Sequence, residues 1–113
     1  MHEVGIISVM LKKLERVMEE EGLTHVEKVV LEVGELSGII PRYMEECFPA
    51  AIYKTEFEDL HMEMEVIPGI VMCLECRHEY RISFDRMSCP VCGSNQITPV
   101  SGNGFVIKEI YAS

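Results

Sequence analysis

The sequence predicts an α+β protein: a small three-stranded sheet with two helices, plus an inserted zinc-ribbon domain. Three observations predict it. Apolar residues recur with a helical period over 6–21, and the period changes to two from Thr24. Near the other end, Cys73-Leu74-Glu75-Cys76 and Cys89-Pro90-Val91-Cys92 form two CxxC pairs twelve residues apart.

Ile7, Met10, Leu11, Leu14, Val17 and Met18 fall on one helical face, with Lys12, Lys13, Glu15, Arg16, Glu19 and Glu20 opposite. This helix starts almost at residue 1, and Gly22 suits its C-cap. Its methionines read as core rather than ligands. Val29, Leu31 and Val33 then share one face of a strand ending near Gly34. Residues 37–41 form a loop into a second helix, where Pro41 is allowed in the first turn. Tyr43, Met44, Cys47, Phe48 and Ala51 are its expected inward stripe, and Pro49 should kink or split it. Cys47 on that face reads as a small hydrophobe, not a nucleophile. His25 and His61 flank strand starts as boundary residues.

Residues 61–66 alternate cleanly as a second strand, and Pro68-Gly69 marks a junction. Ser101-Gly102-Asn103-Gly104 is a second, flexible joint. The last strand, 105–111, is apolar on both faces, which suits a central or covered position. It cannot fold alone and should return to the first sheet. The expected division is therefore 1–68, completed by a strand at 103–113, with 69–102 inserted as the ribbon on two hinges.

Four thiolates in paired CxxC turns suit one tetrahedral metal ion. Pro90 presets φ, and Gly93 lets the backbone pass close to a sulfur. Sulfur ligation fits zinc first and iron second. Four protein ligands leave no open position, so a zinc at Cys73, Cys76, Cys89 and Cys92 would be structural. Two disulfides, or unrelated buried thiols, are the alternatives. His78 could replace a thiolate, but reads more simply as a surface residue of the hairpin.

The chain has 113 residues and a net charge of −9, enough for one modest core. Hydrophobic content of 48% fits a folded protein. No apolar run approaches the ~20 residues of a membrane span, and no signal-peptide layout opens the chain, so it reads as cytoplasmic, without a membrane partner. A reducing cytosol favours thiolate–metal ligation over disulfides. Within the ribbon, Glu75, Glu79 and Asp85 balance Arg77, Arg81 and Arg86, and the acidic excess lies elsewhere in solvated runs. Neutralising phosphates needs the opposite sign, so nucleic-acid binding is disfavoured. Nothing resembles a nucleophilic constellation or a phosphate-cradling glycine loop, so the chain does not read as an enzyme.

Met1-His2-Glu3 offers a second metal chemistry. Initiator methionine is kept before a residue as bulky as histidine, leaving the free α-amine on Met1. That amine, the His2 amide and the His2 imidazole can close fused chelate rings, with the Glu3 amide as a possible fourth nitrogen. A square plane of nitrogens favours Ni(II) or Cu(II) over zinc. The amine and imidazole must both lose protons, so binding should fail in mild acid. Taken alone this signal is weak, because a histidine at position 2 reads more simply as an ordinary terminal residue.

Met1-His2-Glu3, the amphipathic helix, a strand ending in Gly34-Glu35-Leu36 and the late CxxC pairs together resemble the HypA/HybF family of nickel metallochaperones for NiFe-hydrogenase maturation. The resemblance covers the whole chain. It departs at Val4-Gly5, where Leu-Ser is common, and at Pro49. It implies nickel binding through His2 and nearby main-chain nitrogens, with Met1 and Glu3 alongside. It also implies structural zinc at Cys73, Cys76, Cys89 and Cys92. The implied partners are a HypB-type GTPase and the hydrogenase large subunit, for a monomer or weak homodimer. Two rivals remain at this point: a rubredoxin-like iron electron carrier, and a zinc-ribbon interaction or nucleic-acid module.

Overall fold

The computed structural model describes residues 3–83 and 86–113. Helix α1 runs Glu3–Glu21 and ends at Gly22, whose φ of 65° is the left-handed conformation expected of a C-cap glycine. Strand β1 (Val26–Gly34) follows, then α2 (Pro41–Ile52) and β2 (His61–Ile67). Three short strands come next: β3 (Ile70–Cys73), β4 (Glu79–Arg81) and β5 (Ile97–Ser101). Strand β6 (Phe105–Ala112) closes the chain.

Two three-stranded sheets result, ordered β2-β1-β6 and β4-β3-β5. β1 and β2 pair in parallel from Lys28↔His61 to Gly34↔Ile67, with α2 as the crossover, while β6 returns antiparallel on the other side of β1. β3 pairs antiparallel with β4 and β5. The larger core joins Ile7, Met10 and Leu14 of α1, Val29, Leu31 and Val33 of β1, and Met44, Phe48 and Ile52 of α2. Among the described residues, the smaller core consists of Val71, Cys73, Tyr80 and Cys89.

Two expectations change and a third is narrowed. Tyr43 is exposed, and the buried stripe of α2 is Met44, Phe48 and Ile52, because four-residue steps from Met44 stay over the sheet while Cys47 and Ala51 fall to its half-buried margin. Pro49 does not split α2. Pro49 and Glu45 are both exposed, so the carbonyl that loses its donor can bond to water. Finally, β6 is an edge strand, not a central one. Its register against β1 steps from Glu109 to Ile107 with Lys108 skipped. This bulge shifts the phase of alternation, so Phe105, Ile107, Ile110 and Ala112 all pack on the core, while Val106, Lys108, Glu109 and Tyr111 face out. Read without the bulge, the same residues look apolar on both faces.

The two junctions are pinned rather than loose. The Leu36 amide donates to the Gly102 carbonyl at 2.7 Å, Glu35 to Ile67 at 2.9 Å and Gly34 to Gly104 at 2.9 Å. Glycine is required at Gly34 because a Cβ there would lie 2.0 Å from the Gly102 carbonyl oxygen.

Candidate metal centre

Cys73 ends β3, the central strand of the smaller sheet, so its sulfur is placed by paired backbone on both sides. The chain then turns tightly. The Arg77 amide donates to the Cys73 carbonyl at 2.9 Å, and the Cys73 amide to the His78 carbonyl at 2.8 Å. The second CxxC repeats this geometry: Gly93 donates to the Cys89 carbonyl at 2.8 Å, and Cys89 to Ser94 at 2.9 Å. Both turns need a left-handed residue just past their second cysteine. Gly93 supplies φ 76° freely, while Arg77 adopts φ 63° against its own Cβ. The need at Arg77 escaped the sequence because arginine carries no turn signal. Pairing it with Gly93 by position after each CxxC would have found it.

The two turns bring Cys73, Cys76, Cys89 and Cys92 together, with all four sulfurs within 4.8 Å of one another. Cys73 Sγ lies 3.5 Å from Cys92 Sγ, and Cys76 Sγ 3.5 Å from Cys89 Sγ. A disulfide needs about 2.05 Å, so these are free thiols facing a common centre. Zn–S bonds of about 2.3 Å in a tetrahedron put sulfurs roughly 3.8 Å apart. The observed spacings bracket that edge, so the donor set fits a four-thiolate ion. Cys73 and Cys89 are buried and Cys76 and Cys92 exposed. Amides point at the buried pair: Cys76 N–H to Cys73 Sγ at 3.5 Å, and Val91 N–H to Cys89 Sγ at 3.4 Å.

Without a metal the sulfurs cannot ionise together. The Cys76 amide, helped by that of Glu75 and by the Cys92 thiol, draws the Cys73 thiol down to about 6 against burial. The Ser94 amide also draws on Cys92, but the Cys73 sulfur, burial and the remaining cysteines outweigh it and push Cys92 up to about 12. A divalent cation relieves this repulsion and must displace protons, so its affinity weakens as pH is lowered.

His78 is exposed and stacks on Tyr80 at 6.2 Å between ring centroids; it is not part of the sulfur cluster. Cys47, His25 and His61 are also outside it. At the other end of the chain, Met1 and His2 lie outside the described residues. Glu3 opens α1 and is 5% exposed. Its amide lies in the first turn of α1 and has no intrahelical acceptor among the described residues. Among the described residues, no helix is long and apolar enough to cross a membrane.

A family model described as "Hydrogenase/urease nickel incorporation, metallochaperone, hypA" matches residues 1–112. The chain belongs to the HypA family. It is 34% identical over 110 residues to the hydrogenase maturation factor HypA of Chlorobium limicola, covering 97% of this chain and 95% of that protein. It is 31% identical over 110 residues to its counterpart in Dechloromonas aromatica, covering 97% of each. The solution structure of the Ni metallochaperone HypA from Helicobacter pylori matches with a TM-score of 0.70 over 99% of this chain and 97% of that one. At 19% identity, that likeness speaks to the fold. HypA proteins are maturation factors rather than enzymes, and the family description adds urease to the hydrogenase role that the sequence implied.

Proposed function

We propose that this chain carries Ni(II) at its N-terminus and delivers it for hydrogenase maturation, while Zn(II) shapes the ribbon. The ligands assigned to nickel are the Met1 amine, the His2 amide and imidazole, and the Glu3 amide; those assigned to zinc are Cys73, Cys76, Cys89 and Cys92. The observation that carries the zinc assignment is the four-sulfur cluster with its tetrahedral spacing. Family membership carries the nickel assignment, and the amide of Glu3, uncommitted within α1, supports it. A site built from a chain terminus holds its ion lightly and can hand it on, where a closed cage of four ligands cannot.

The same reading divides the chain into a nickel-bearing unit, 1–68 with 103–113, and a zinc ribbon, 69–102. It places the protein in the cytoplasm as a monomer or weak homodimer. A HypB-type GTPase and the NiFe-hydrogenase large subunit are its partners. Copper binds such nitrogens more tightly by intrinsic order, so nickel loading rests on availability or on partners.

An extension before Met1 tests the amine. Isothermal titration with Ni(II) should show clearly weaker binding in the extended protein, with zinc content unchanged. Equal affinity would remove the amine from the ligand set. Zinc at one per chain without iron discards the electron-carrier alternative.

A further inference from the structure

Glu35 sits just beyond β1, in the turn that leaves the larger sheet, yet among the described residues its side-chain partners belong to the ribbon segment. Its Oε1 accepts the Gly69 amide at 2.7 Å and Arg81 Nε at 3.1 Å, and its Oε2 accepts Arg81 Nη2 at 2.8 Å. Arg81 ends β4, the outer strand of the ribbon sheet, 46 residues along the chain. Leu36, the next residue, packs into the ribbon's small core beside Val71, Tyr80 and the buried cysteines. The adjoining backbone leaves no slack. A Cβ on Gly69 would meet Leu36 Cγ at 2.7 Å, and one on Gly102 would meet the Pro68 carbonyl oxygen at 2.3 Å.

From these contacts we infer that Glu35 and Leu36 form a latch that fixes the ribbon's attitude to the larger sheet, with Glu35 as its polar half and positioning residue. An isolated exposed ion pair would not do this. Here one carboxylate takes a two-pronged guanidinium and a main-chain amide together, and an apolar plug sits beside it. The same turn also borders the start of α1. Ser37, Gly38 and Ile39 line an open cavity of about 770 Å³ together with Gly5, Ile6 and Val9 of α1. The ribbon is thereby held against the same turn that flanks the first turns of α1. Without the latch, only the main-chain bonds at the two junctions couple the units, and the ribbon gains freedom to move against the larger sheet.

The inference rests on the proposed division into two units, but not on the metal assignments, since Glu35 is not a proposed ligand. The test is ¹⁵N relaxation on the zinc-loaded full chain, comparing amides of β1 and β2 with those of β3 and β5. The native protein should show one tumbling time. In Glu35→Ala and in Arg81→Ala the ribbon should tumble faster than the larger sheet. In Glu35→Ala/Leu36→Ala the difference should widen toward a limit of roughly two-fold, because 69–102 holds about a third of the residues and the larger unit the other two thirds. Two tumbling times in the native protein would overturn the latch, as would a single time in the double variant. A change in the double variant but in neither single would remove Glu35 from the role. Arg81→Ala, whose side chain is 59% exposed, keeps the test open should Glu35→Ala misfold. Unchanged nickel and zinc stoichiometry separates failure of the latch from failure of the metal reading.

Discussion

Gly34→Ala should be among the most damaging single-methyl additions in this protein. The new Cβ would lie 2.0 Å from the Gly102 carbonyl oxygen and 2.3 Å from its carbon, where ordinary contact begins near 3.4 Å. Both neighbours are backbone, so no rotamer can relieve the clash. The Gly102 carbonyl is also the acceptor for the Leu36 amide at 2.7 Å, and withdrawing it breaks that bond. Overpacking costs typically 1–3 kcal/mol. Losing the hydrogen bond adds about 1 kcal/mol. The expected loss is therefore about 2–4 kcal/mol, a large share of the roughly 5–15 kcal/mol that holds a small protein folded. At about 4 °C or more per kcal/mol, thermal unfolding of the zinc-loaded variant followed by circular dichroism should fall by at least ~8 °C. Gly5→Ala is the control. Gly5 lies inside α1 with nothing within 4 Å of its would-be Cβ, so the same methyl there should stabilise by about 0.5–1 kcal/mol. If Gly34→Ala melts within ~2 °C of the native protein, the close approach of Gly34 to Gly102 is wrong.

Cys76→Ser should lose zinc and unfold the ribbon while the helix-covered sheet keeps its circular dichroism, because Val71 and Tyr80 with two cysteines are too small a core to hold 69–102 alone. Metal analysis reads it, and a full zinc complement would mean that another group, such as His78, substitutes. At the two left-handed positions the signs should differ. Arg77→Gly should stabilise the ribbon by about 1 kcal/mol and Gly93→Ala destabilise it by a similar amount, both measured by urea unfolding of the zinc form. Matching signs would show that the two turns are not equivalent.

Local patterns carried most of the fold. The helical stripe of α1, the apolar run of β1 and the spacing of the cysteines each depend on near neighbours, and each appears where its residues predict. What failed depended on partners distant in sequence. The phase of β6 hinges on a bulge opposite Val30 and Leu31, which no alternation within 105–112 reveals. Tyr43 was ranked with Met44 because both are apolar, though only tertiary packing decides which of two adjacent residues faces the sheet. Gly69 and Gly102 looked like hinges because glycine marks both freedom and close approach, and only the crowding shows which. Glu35 belonged to a recognised motif, but its pairing carried no local signal, since its partner Arg81 is 46 residues away. The four-cysteine cluster was legible as a motif. The ligands proposed for nickel rest on resemblance, and Met1 and His2 lie outside the described residues.

The central claim is that two ions do separate work at opposite ends of the chain. Its most direct test is Ni(II) titration with metal analysis of the untagged protein, native against His2→Ala. The native chain should take up nickel while keeping one zinc. His2→Ala should lose tight nickel binding and keep the zinc and the fold. Nickel affinity retained in His2→Ala, or nickel found on the four sulfurs, would contradict the account.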